Sequence, residues 1–138
     1  MAQNAKEQET HRKLFDMTVL ELPTNWSRAR GVHGRHRVVS LVAWQELLKE
    51  LAREEMSVLP GPFPYEGALR VEITVGFPDK KTMDRAGDPD NVVKGVMDAL
   101  NKLVWKDDRW RYIHESQICG HVVRAGEMPS TRIVAVCL

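Results

Sequence analysis

The sequence predicts one small α+β domain ordered β-α-β-α-β-β, a mixed sheet with two helices packed on it. Three observations carry this. The length, 138 residues, supports a single hydrophobic core. At 43% hydrophobic and 28% charged, the composition suits a folded chain. Finally, the apolar period changes along the chain, from two residues at 69–77 to three and four at 90–104.

Residues 1–13 read as a polar arm, and the domain as 14–138. Residues 17–22 (MTVLEL) predict the first strand, stopped by Pro23. Residues 24–37, rich in Arg, Gly and His, predict a loop. A helix is expected over 40–55, with Leu41, Trp44, Leu47, Leu48 and Leu51 on one side and Ser40 as its cap. Pro60, Gly61, Pro62 and Pro64 make a stiff connection. Leu69, Val71, Ile73, Val75 and Phe77 then alternate with polar residues or glycine, a strand with one wet face. Residues 78–87 predict a charged loop, and a second helix starts at Asp88-Pro89-Asp90 and ends between Asn101 and Val104. Residues 118–124 and 132–136 predict two last strands, joined as a hairpin through 126–130 (GEMPS). Trp44, Met97 and Trp105 are assigned to the core, and Cys119-x-His121 to strand packing rather than zinc.

Several classes fall away. Cys119 and Cys137 make no disulfide framework, the first ten residues hold no apolar leader, and no stretch nears the ~18 apolar residues of a membrane span. The expectation is a cytoplasmic protein with reduced thiols and no membrane partner. Twenty Lys+Arg against nineteen Asp+Glu leave a net charge of +1, which excludes a uniformly basic coat for nucleic acid. The sum hides a segregation. Residues 28–37 (RARGVHGRHR) hold four Arg and no acid, while carboxylates gather at 84–90 and 107–108.

The informative segment is 84–108, DRAGDPDNVVKGVMDALNKLVWKDD. On a helical wheel Val92, Val93, Val96, Met97, Leu100, Leu103 and Val104 fill an arc of about 140°. Asp90, Lys94, Asp98 and Asn101 form a polar stripe beside it. Two carboxylates and a lysine thus meet at a helix start. Hard divalent cations take one or two carboxylates there, together with phosphate and water. A plainer account stands beside this one: Asp88 as N-cap, Pro89 at N1, Asp90 favoured by the helix dipole, and Lys94 in ordinary helix ion pairs.

The string Asp88-Pro89-Asp90-Asn91-x-x-Lys94-x-x-x-Asp98-Ala99-Leu100, followed by Trp105-x-Asp107-Asp108, resembles the RusA family of Holliday-junction resolvases. Leu22-Pro23-Thr24-Asn25, with Arg28 and Arg30 after it, resembles the same family's approach to an arginine-rich loop. The resemblance spans about 18–136. It implies a homodimeric endonuclease that resolves four-way DNA junctions with paired, ligatable nicks, in a bacterial or phage setting. It further implies that Asp88, Asp90 and Asp108 hold Mg²⁺ or Mn²⁺ and that Lys94 assists, with Asp107 the weaker candidate of its pair. The candidate DNA contacts are Arg28, Arg30, Arg35, Arg37, Lys80, Lys81 and Arg85, with Trp26, Trp105 and Trp110 as candidate base-stacking groups, core packing being the stronger reading for Trp105. The alternative of another class is a non-cleaving, junction-binding architectural protein on the same fold. One departure is notable: where the family commonly has a glycine before W-x-D-D, this chain reads Asn101-Lys102-Leu103-Val104.

Chain geometry adds a condition. If the second helix ran on to Trp105, its ends would lie about 22 Å apart, and three extended residues reach back only about 10 Å. Asp108 then joins Asp90 within one chain only if the helix ends near Asn101; otherwise Asp108 serves a partner subunit.

Overall fold

The structure, a computed structural model, describes residues 11–23 and 31–138, with side chains from residue 41 in the second span. Among them are seven elements: β1 (Lys13–Val19), α1 (Gly31–Met56), β2 (Leu69–Phe77), α2 (Lys80–Arg85), α3 (Pro89–Leu100), β3 (Ile113–Val122) and β4 (Ser130–Cys137). The α+β class holds, with a third, short helix beyond the two expected.

Strand β2 forms where the alternation places it, and Leu69, Val71, Ile73, Val75 and Phe77 are all buried. It pairs parallel with β3 on one side and antiparallel with β4 on the other; β4 also pairs antiparallel with β1. The sheet order is β1-β4-β2-β3. Register lines up Met17, Ile133 and Ile73 across three strands, all inside the core. Each such side chain contributes about 1.5–3 kcal/mol on burial. Asp16, Arg132, Thr74 and Glu72 carry the opposite, wetter face. There the Arg132 guanidinium donates twice to the Asp16 carboxylate, at 2.9 and 2.7 Å. With help from Lys13, this pair lowers the Asp16 pKa to about 2.

Helices α1 and α3 close the core. Trp44, Leu48 and Ala52 of α1 and Val92, Val96, Met97 and Leu100 of α3 are buried. The Gln45 amide donates to the Gly95 carbonyl at 3.1 Å, tying the two helices together. Helix α3 also connects two parallel strands, which cannot be joined by a tight turn.

Several expectations are corrected. Strand β1 begins at Lys13 and ends at Val19, earlier than 17–22. Helix α1 begins at Gly31, so Arg35 and Arg37 lie on a helix and Ser40 is interior rather than a cap. Glycine and basic content signalled a loop there, but a helix of 26 residues carries a few poor formers in its first turns. The charged loop contains α2, started by Asp79, whose carboxylate accepts the Thr82 N–H at 2.7 Å. Lys80, Lys81 and Arg85 therefore stand exposed on a helix. Residues 126–130 are no hairpin, because β3 and β4 are not neighbours. Ile133, Ala135, Val136 and Cys137 are buried, which suits an inner strand, whereas β3 is polar along most of its length and takes the edge. Cys119 and His121, on that edge, are exposed rather than packed.

Candidate active site

Helix α3 starts as the sequence predicts. Asp88 is the N-cap in extended backbone, Pro89 follows, and Asp90 lies in the first turn. The Asp88 carboxylate makes no capping hydrogen bond. The plainer account of this residue therefore loses the bond that would explain it. Asp90, Lys94 and Asp98, spaced a turn apart, line one side of an open cleft of about 710 Å³.

The helix ends at Leu100, with Asn101 as C-cap, which meets the geometric condition for closure within one chain. The next residues are pinned. Trp105 is 0% exposed. Its carbonyl accepts the Lys102 N–H at 2.7 Å, and Tyr65 bonds Val104 and Lys106 at 2.9 and 3.0 Å. Lys102 takes a left-handed backbone, φ 66°, to make this turn. A β-carbon in that region costs about 1 kcal/mol, which explains why a glycine suits the segment.

The anchored turn delivers two neighbouring carboxylates to different tasks. Asp107 accepts its neighbour's backbone N–H at 2.8 Å and pairs with the Arg109 guanidinium at 3.1 Å. The backbone bond leads in holding its pKa below the usual carboxylate range, with the charge of Arg109 adding to it. Asp108 instead lines the same cleft as Asp90 and Lys94. Arg109 and Trp110 continue the rim.

The far wall is the start of β3. Ile113 faces Leu69 and Glu115 faces Arg70, so His114 is an extra, bulged residue. Bulges commonly re-aim a side chain beside functional sites. His114 and Glu115 both line the cleft, and neither was singled out by sequence. The readable signal was the polar run 114–117 ahead of the apolar part of the strand, where an expected start at 118 left it outside.

Of the candidate residues, Asp90, Lys94 and Asp108 line one cleft; Asp88 stands at the N-cap position of the same helix but does not line the cleft. Asn101, expected on the polar stripe, is half-buried and off the cleft, its Oδ1 enclosed without a partner. Lys80, Lys81 and Arg85 also lie off the cleft. Arg28, Arg30 and Trp26 lie outside the described residues, as do the side chains of Arg35 and Arg37. Among the described residues no three of His, Cys, Asp and Glu form a ready metal cage. The donor chemistry still fits a hard cation of the Mg²⁺ type: carboxylates from a helix and from the following turn line one open cleft, with room for a phosphate and water.

A cleft lined by carboxylates and a lysine beside a helix start can take a hard cation together with a phosphate. The family model Endodeoxyribonuclease RusA matches residues 23–133, and the chain belongs to that family. The resemblance read from the acidic motif is thereby borne out, and with it the assignment to Holliday-junction endonucleases. Among curated proteins, none matches the chain. No helix among the described residues is long and apolar enough to cross a membrane.

Proposed function

We propose that this chain acts as a homodimer that resolves four-way DNA junctions with paired nicks, using a divalent cation, Mg²⁺ or Mn²⁺. The observation that carries the reading is the cleft shared by Asp90 and Lys94 of α3 and Asp108 of the following turn. Asp90 and Asp108 would hold the cation, joined by Asp88 from the helix cap. The cation supplies Lewis-acid activation of water and of the scissile phosphodiester. Lys94 faces the charge that builds on the phosphate as the water oxygen bonds to phosphorus and the bridging P–O bond breaks. The leaving oxygen takes a proton, and the nick keeps ends that a ligase can join. Asp107 holds the turn and leaves the chemistry to Asp108. Arg28, Arg30, Arg35, Arg37, Lys80, Lys81 and Arg85 supply backbone contacts to the junction arms. Two matched nicks need two sites, which a two-fold dimer provides.

The test is a synthetic four-way junction with Mg²⁺, beside an Asp90→Asn variant. Wild type is expected to make symmetric nicks while the variant binds without cutting. Failure of wild type to cut with either cation removes the nuclease reading, and binding without cutting would leave the architectural one. Divalent cation should also raise the melting temperature of wild type, and raise it less in Asp88→Asn. Mixed dimers of Asp90→Asn and Asp108→Asn subunits should stay inactive, because each site is completed within its own chain; recovered cutting would mean a shared site.

A further inference from the structure

The placement of the tryptophans points to a role that the acids do not cover. Trp44 and Trp105 are buried in the core. Trp110 is 84% exposed, more than any other large apolar side chain described. A lone exposed apolar residue needs no explanation. This one, however, stands on the rim of the cleft that holds Asp90, Lys94 and Asp108, two residues after Asp108.

The turn that carries it is held by backbone bonds and sets an arginine on either side of it in the chain. The turn that presents it is closed by the N–H groups of Tyr112 and Ile113, both donating to the Arg109 carbonyl at 2.9 Å. Of its flanking arginines, Arg109 is held by Asp107 at 3.1 Å. The guanidinium of Arg111 lies 5.7 Å from the centre of the Tyr112 ring. A solvent-facing aromatic side chain with an arginine before and after it in the chain suits unpaired nucleotides: the ring stacks on a base while the arginines reach the phosphates. A base inside an intact duplex has no free face to offer.

We propose that Trp110 is a stacking platform for an unstacked nucleobase next to the scissile phosphate, so that the cleft selects DNA whose bases are already open there. This rests on reading the cleft as the site of DNA cutting. Trp110 is then a specificity residue: it favours crossovers and single-stranded gaps over continuous duplex, without taking part in bond breaking.

The experiment uses the full chain without divalent cation, with a four-way junction carrying 2-aminopurine at the crossover and a plain duplex of equal length as control. Wild type, Trp110→Phe and Trp110→Ala are compared, and each is afterwards assayed for cutting with Mg²⁺. Trp110→Ala is expected to bind the junction about tenfold more weakly and to lose the 2-aminopurine response. Trp110→Phe should keep most of both, and duplex binding should stay level in all three. The side chain is exposed, so the melting temperatures should match. Equal junction binding and equal 2-aminopurine response in Trp110→Ala would overturn the proposal. So would an equal loss on duplex, or dissociation of the dimer in sedimentation, which would assign Trp110 to general contact or to the interface between copies. If wild type stacks through Trp110 yet never cuts, the nuclease reading fails and the platform stands. If wild type cuts and Trp110→Ala discriminates as wild type does, only the platform fails.

Discussion

Both outer strands of the sheet begin with a bulge, and the two bulges are put to opposite uses. In β1 the extra residue falls between Lys13 and Phe15, and it is Leu14, which is buried. Leu14 and Phe15 are consecutive and both inside, so the bulge adds a second apolar side chain to the core at this end of the strand. Phe15 meets Phe63 of the proline-rich connection edge to face, ring centres 6.4 Å apart. In β3 the extra residue is His114, which lies on the cleft, and the strand beyond it is exposed on nearly every residue. The same backbone irregularity thus seals one edge and opens the other. The side chain at the bulge decides which: an apolar one is drawn into the core, a polar one is left facing water.

Substitutions should separate the edges. The largest effect is expected at the sealed one. Phe15→Ala removes a fully buried ring and should cost about 4 kcal/mol of stability in a denaturant titration. At the open edge, Asp108→Asn should cut junction cleavage by roughly 10²–10³-fold, the scale for losing one charge-stabilising group, with no change in melting temperature. If Asp108→Asn destabilised the fold as Phe15→Ala does, the division between edges would be wrong.

Smaller effects sharpen the contrast. Asp16→Asn breaks the bidentate pair with Arg132 and should cost about 1 kcal/mol, since the pair is partly solvated. The folded-state pKa of Asp16 lies below its usual value of 3.8, at about 2. Its contribution is therefore complete above pH 4 and fades as pH falls from about 4 to 2. Asp16→Asn should flatten that part of a stability–pH curve. Least of all, Lys102→Gly should stabilise by about 0.5 kcal/mol, because relief of the left-handed backbone slightly exceeds the added freedom of the unfolded chain.

What could be read in the sequence was what is local. Strand β2 was legible to the residue because alternation reports a half-buried strand directly. The start of α3 was legible from Asp88-Pro89-Asp90, and the core roles of Trp44 and Met97 from their spacing. Pairing was not local. Gly126 and Pro129 between two strand patterns read as a hairpin, whereas the apolar content of 133–137 decided that β4 goes inside and β3 stays out. Helix α2, with six residues, is too short for a period to show; Asp79 three residues before Thr82 was its one usable sign. In the cleft, Asp90, Lys94 and Asp108 could be named from their motif. His114 and Glu115 could not, because a bulge shifts the register that would have placed them.

The position of β4 also bears on how the chain is made. Ser130–Cys137 comes last in chain order among the described strands, yet it sits between β1 and β2 and pairs with both. Until it arrives, β1 has no neighbour in the sheet, and the apolar side chains of β1 and β2 have nothing between them to close against. The sheet cannot close until β4 has been made, and the pairs it then forms join residues as distant in the chain as Lys13 and Val136, a topology associated with slow folding. Loss of residues 130–137 would thus remove an inner strand of the sheet, although every acid of the cleft would remain.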